Sequence, residues 1–381
     1  MSIELHTDHP GGNGLLMEVE GGDPPVVRFA AEPKNCPEAL WFHFRLTGLD
    51  GQAVRIVLAN PEQTLGGGDW STNRLVWRGD GGRWQRTSCP AAIHTPSGRT
   101  EWAWLLEGCG ESVEVAACYP YQPADLQETL SDLDGLFKSE CIGISGRNNR
   151  VIRIYNRSND AGRPAVYLTA RNHAGEVPGS WVLDGLLRAA AENDQIRNGL
   201  TIWAMPFVDI DDVVEGSYGK DPYPHDCNRS WGPGVAARPE VRAAAEDLHT
   251  LIRQTRVAFF CDLHAPSHRE QNVYVPLRGW DQDSVVSQQA RCFADQFAAH
   301  CPDHLRSERP HVTPPKGHSR HQGLSASRWA RDVMGLDAAC LEISYQGMGG
   351  TVFTPEEYHR LGRALLETLY DWARGQKGAD L

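Results

Sequence analysis

Five apolar runs, at residues 151–155, 165–170, 200–207, 257–263 and 338–343, alternate with helix-patterned segments at 180–192, 239–253, 284–300 and 355–374. Continuously apolar strands are those covered on both faces, and strand–helix alternation builds a parallel sheet between layers of helices. Thr354 is a fitting N-cap for the last helix, with Pro355 in its first turn. The pattern predicts an α/β fold with a mixed, largely parallel sheet sandwiched by helices. Ligands of such sheets bind beyond the carboxyl ends of the strands, so chemistry is expected just after the apolar runs.

Residues 1–120 read differently. Short runs of β-propensity, such as Leu40-Trp41-Phe42-His43-Phe44-Arg45-Leu46, are broken by turn signals such as Gly48-Leu49-Asp50-Gly51 and Gly79-Asp80-Gly81-Gly82. This predicts an antiparallel β-sandwich over 1–120. Six tryptophans between Trp41 and Trp104 fit its hydrophobic core better than an exposed carbohydrate-binding face. Pro120-Tyr121-Gln122-Pro123 reads as a linker, followed by the α/β domain over 124–381. A length of 381 residues accommodates both.

A formal net charge of −12 argues against a nucleic-acid surface. No apolar run approaches the roughly 18 residues that span a bilayer, and the first residues lack a basic, then apolar, leader pattern. Ten cysteines with no CxxC pair, several of them inside apolar runs, read as reduced, mostly buried thiols of a cytoplasmic protein.

Past the run at 165–170 comes Arg171-Asn172-His173-Ala174-Gly175-Glu176, and past the run at 257–263 comes His264. A histidine and glutamate three apart, with a second histidine from another strand end, form a His₂Glu set. Catalytic zinc uses such a set and leaves a fourth position for water. HxxE alone is a weak signal. Its specificity comes from the company it keeps: Asp226-Cys227-Asn228-Arg229, Cys261-Asp262-Leu263-His264 and Leu341-Glu342-Ile343-Ser344, in that order.

This constellation resembles the zinc metallocarboxypeptidases. Within them it looks most like the cytosolic carboxypeptidases, which carry an extra amino-terminal β-domain. The resemblance covers most of the chain and is strongest over 140–265. It implies one Zn²⁺ per chain on His173, Glu176 and His264, with Asp226 supporting His173 and Glu342 as the catalytic carboxylate. It also implies that Asn228 and Arg229 receive the terminal carboxylate of a peptide or protein substrate, a task suited to arginine's planar fork. Asp262 shares a strand face with His264 and reads either as its partner or as a carboxylate buried for other reasons.

Two departures stand out. The related cytosolic enzymes carry an arginine directly after the tyrosine matching Tyr218, whereas this chain reads Tyr218-Gly219-Lys220. Lys220 is a candidate to stabilise the oxyanion as a point charge, or another group serves. The pancreatic-type enzymes also close a tyrosine over the substrate, yet no tyrosine lies between Tyr274 and Tyr345. The basic segment from His318 to Arg331 offers Arg320 and Arg328 for an acidic substrate side chain, matching the deglutamylase activity of the cytosolic branch. A solvated basic surface is the competing account. An amidohydrolase of N-acyl amino acids, similar to aspartoacylase, would use the same ligand pattern, and a catalytically inactive binding module is a third reading.

Overall fold

The computed structural model describes residues 2–64, 67–156, 162–232, 238–277, 285–313 and 322–375. Two five-stranded sheets, formed from strands between Glu4 and Ala116, lie face to face. Phe29 of one sheet meets Phe44 of the other with ring centroids 4.7 Å apart. Trp41, Trp70, Trp77, Trp102 and Trp104 are buried here and Trp84 packs half-buried against the core, so five of the six tryptophans form core, as the sequence suggested. One pairing departs from the antiparallel expectation: Val26–Ala30 runs parallel to Val54–Leu58.

Helix Pro123–Asp132 begins the second unit. Gln122 caps it, its backbone N–H donating to Asp125 Oδ2 at 2.6 Å. Beyond it lies an eight-stranded mixed sheet. Its centre is four parallel strands in the spatial order Thr201–Met205, Ala165–Ala170, Val257–His264, Ala338–Ile343. Every residue of the first three is buried, which explains their unbroken apolar character. Helices Pro178–Glu192, Pro239–Gln254, Val285–His300 and Pro355–Ala373 match the predicted segments, and no helix of the described residues is long and apolar enough to cross a membrane.

The two units share a polar seam. Asn13 Nδ2 donates to Gly216 O at 2.7 Å, and Arg86 donates to the carbonyls of Tyr345 (2.7 Å) and Phe353 (2.9 Å). His268, in the loop after strand Val257–His264, stacks on Trp70 with centroids 4.6 Å apart. These contacts fix the sandwich against the carboxyl ends of the central strands.

Candidate metal centre and active site

The turn after strand Ala165–Ala170 is held from every side. Arg171 adopts a left-handed backbone (φ 60°) and is buried; its guanidinium donates to Ala174 O, Tyr121 O and Ser180 Oγ. Gly175 donates its N–H to Tyr218 O at 2.8 Å and accepts from Tyr345 Oη at 3.3 Å. A Cβ on Gly175 would lie 2.5 Å from the Tyr218 ring and 3.1 Å from Trp41, so only glycine fits.

This turn delivers His173 and Glu176 to His264, the last residue of its strand. His173 Nδ1 lies 2.8 Å from Glu176 Oε1, and His264 Nδ1 lies 2.6 Å from Glu176 Oε2. One ligating atom from each of the three residues falls within 4.8 Å of the others, and all three side chains are buried. Both outer ring nitrogens face carboxylates. His264 Nε2 is 2.8 Å from Asp262 Oδ2, and His173 Nε2 is 3.4 Å from Asp226 Oδ2. Ligating histidines are oriented in this way by a carboxylate on the second nitrogen. The donor set, its separations and these outer partners fit a zinc-type ion.

The electrostatics agree. Burial disfavours a charged His264, yet Asp262 and Glu176 together hold its pKa well above the ordinary range. Burial likewise opposes ionisation of Asp226, but His173 and Arg229 hold its carboxyl below the usual range.

Glu342 stands beside His264 in register on the neighbouring parallel strand. Its Oε2 is shielded from solvent and has no hydrogen-bond partner among the described residues. Burial raises its carboxyl above the ordinary range, opposed by His264 and, more weakly, by Lys220. Half-buried Lys220 thus lies within electrostatic reach of the Glu342 carboxylate.

Asn228 and Arg229 sit in the short turn Cys227–Arg229, capped by Asp226, whose Oδ1 accepts from Asn228 N at 2.6 Å. The Asn228 side chain is already engaged: Nδ2 lies 3.2 Å from His264 Nε2, and Oδ1 accepts from Ala326 N at 3.1 Å. Arg229 is half-buried and donates to Asn228 O. Arg328 lies in the first turn of helix Ala326–Asp332, its Nε 3.9 Å from Asp332 Oδ2. Arg320 lies outside the described residues.

Two contributions escaped the sequence, and a third was named there without a settled role. Asp262, left open between two roles, touches His264 and also accepts from Thr169 Oγ1 and Asn172 Nδ2, each at 2.7 Å. Tyr274 stands directly across an antiparallel pair from Glu342, next to where the sequence left the tyrosine's role empty. Glu38 comes from the sandwich, and its carboxylate feels the charges of Lys220, Asp221, His173 and Glu176. Only Asp262 carried a local signal, the shared strand face.

Residues 5–117 match the cytosolic carboxypeptidase N-terminal domain family. The chain is 24% identical over 294 residues, 69% of its length, to the Bos taurus protein named cytosolic carboxypeptidase 3. Over this amino-terminal domain, and across much of the remaining chain, it is similar to the cytosolic carboxypeptidases. The aligned part spans only 29% of that bovine protein. In fold, this cytosolic carboxypeptidase-like chain is similar to the metallo-carboxypeptidase from Burkholderia cenocepacia, with a TM-score of 0.82 and 18% identity, over 98% of this chain and 100% of that one. It is also similar to a Pseudomonas aeruginosa metallo-carboxypeptidase solved in complex with (2-guanidinoethylmercapto)succinic acid, at TM-score 0.78 and 20% identity, over 97% of this chain and 100% of that one.

Proposed function

We propose that this protein is a zinc-dependent carboxypeptidase that hydrolyses the carboxy-terminal bond of a peptide or protein, with a preference for acidic terminal residues. The observation that carries the reading is the buried His173–Glu176–His264 cluster with Glu342 in register beside it. In this reading His173, Glu176 and His264 hold one Zn²⁺ per chain, which when bound supplies Lewis acidity and a lowered pKa for water. Glu342 takes a proton from the attacking water at its unpaired Oε2 and returns it to the amine leaving as the C–N bond breaks. Lys220 faces the negative charge that develops on the scissile carbonyl oxygen. Arg229 receives the terminal carboxylate, with Asn228 fixing the turn that carries it.

Arg328 is the described candidate for an acidic side chain, because the helix that bears it starts on Asn228. The sandwich over 1–120 and the α/β unit over 124–381 act as one enzyme. All ten cysteines are free, which suits a reducing, cytoplasmic setting. A full ligand set together with Glu342 favours catalysis over a binding module, since binding alone has no need of the carboxylate.

The test is elemental analysis combined with amino-acid release from peptides ending in Glu, Lys or Phe. One zinc per chain, its loss in His264→Ala and abolition of release by chelation are expected. Stoichiometric zinc in His264→Ala would refute the ligand assignment, and zinc-loaded protein that releases no terminal residue would refute the reaction.

A further inference from the structure

Strand Ala338–Ile343 carries a second polar side chain on the face that bears Glu342. From Ala339 on its residues alternate: Ala339, Leu341 and Ile343 are buried, whereas Cys340 and Glu342 are half-buried. Successive side chains of a strand point to opposite faces, so residues two apart share one. Cys340 therefore lies on the face of the site, one step back from Glu342. The neighbouring strands extend this into two rows. Thr169, Asp262 and Cys340 are partners in register, and His264, Glu342 and Tyr274 form the next row.

The first row serves the second. Thr169 Oγ1 donates to Asp262 Oδ1 at 2.7 Å, and Asp262 Oδ2 in turn meets His264 Nε2 at 2.8 Å. On the next strand the same two-residue step brings the Cys340 thiol to Glu342, with Sγ donating to Oε1 at 3.8 Å. Two strands in register thus repeat one device. On one a carboxylate orients a histidine, and on the other a thiol meets a carboxyl.

This contact separates the two oxygens of Glu342. Oε1 receives the S–H, while Oε2 is shielded from solvent and has no hydrogen-bond partner among the described residues. The last torsion of a glutamate side chain is broad, so burial alone does not choose which oxygen is presented. A thiol is a weak donor, but it needs no strength to decide between two otherwise equal oxygens. Burial and the adjacent Glu342 carboxyl push the Cys340 thiol well above its ordinary range, so it keeps its proton and remains a donor at neutral pH.

We propose that Cys340 is a positioning residue for Glu342: its S–H engages Oε1 and leaves Oε2 as the oxygen that takes the proton from water. This rests on the carboxypeptidase reading above and adds to it the group that orients its base.

Paired substitutions in the full-length, zinc-loaded protein test it. Cys340→Ala and Cys340→Ser both shrink the side chain, and only serine keeps a donor. Cys340→Ala should lower kcat on a single peptide about five- to tenfold, the scale of one hydrogen bond. KM and bound zinc should stay within about twofold of the parent, because the contact matters only in the chemical step. Cys340→Ser should recover most of the loss. In a Glu342→Gln background, Cys340→Ala should change the residual turnover by less than about twofold, since the two residues act as one unit. Should the alanine protein be unstable in a thermal melt, Cys340→Val fills the strand face without a donor and makes the same comparison with serine. A role in packing alone predicts the reverse order, with valine tolerated and serine not. That order, a serine variant as slow as alanine, turnover of the alanine variant within about twofold of the parent, a full loss in the Glu342→Gln background, or a rise in KM at constant kcat would each overturn the proposal. Those results in an active enzyme remove this inference alone, whereas an unmutated zinc-loaded chain that releases no terminal residue removes the carboxypeptidase reading and this inference with it.

Discussion

Asp262 and His264, two residues apart on one strand, meet through their side chains at 2.8 Å between Oδ2 and Nε2. The contact turns Nδ1 of the imidazole toward Glu176 and fixes which nitrogen is left to bind a cation. Carboxylates in this position typically contribute 10- to 100-fold to metal affinity. Asp262→Ala should therefore weaken zinc binding by about that factor, read by competition with a chromophoric chelator, and Asp262→Asn by less. Unchanged affinity in the alanine variant would show that the strand alone orients His264.

Glu342→Gln should keep the fold and the zinc while kcat falls at least about 10²-fold, the usual scale of positioned proton transfer. The amide preserves the volume but cannot take a proton. Near-parental turnover with full metal content would assign water activation to another group.

Arg328→Ala should lower the preference for Glu- over Phe-terminated peptides by more than about tenfold and leave the Phe substrate little changed, since losing one partner of a desolvated charge pair costs about 2–5 kcal/mol. The long-range field of a chain at −12 repels acidic peptides, so such a preference needs a cation close to the bound side chain, where screening is weak. A parent enzyme that already works better on Phe- or Lys-terminated peptides would dismiss the acidic pocket.

His268 sets a pH limit on the seam between the two units. Its Nε2 donates to Gly67 O at 3.1 Å while Nδ1 meets Asn73 Nδ2. Protonation would set two donors face to face. Burial, aided by Arg269, pushes its pKa down to about 4, against roughly 6.5 in the unfolded chain. Between those values the unfolded chain binds more protons than the folded one. This contribution is thus complete above about pH 6.5 and is lost as pH falls toward 4, amounting to about 3 kcal/mol over the whole window. Denaturant titrations at pH 4.5 and 7 should show His268→Phe less stable at pH 7 but with a shallower loss on acidification. Parallel curves for both proteins would place the acid sensitivity elsewhere.

The centre of the fold was legible because its strands are buried on both faces, as at Ala165–Ala170 and Val257–His264, and an apolar run needs no partner to be recognised. His173, Glu176 and His264 were legible for a related reason, being polar residues where apolar runs stop. Tyr274 was not. Its strand, Val273–Pro276, has only four residues, and its place opposite Glu342 depends on a pairing with a strand more than 60 residues away. Glu38 was hidden more deeply, because its surroundings exist only once two separately patterned units have closed on each other. The parallel Val26–Ala30 pairing was missed for want of a crossover helix, the usual mark of parallel strands.

Arg86 hands two of its N–H groups across the seam to the carbonyls of Tyr345 and Phe353, on either side of the short hairpin that follows the Glu342 strand. A chimera that took its sandwich from one relative and its α/β unit from another would inherit those carbonyls without their donor, unless an arginine came with the graft. Limited proteolysis between the halves should accordingly give two pieces that stay together rather than a free catalytic fragment. For protein engineers, the workable unit of exchange in this chain is the whole pair.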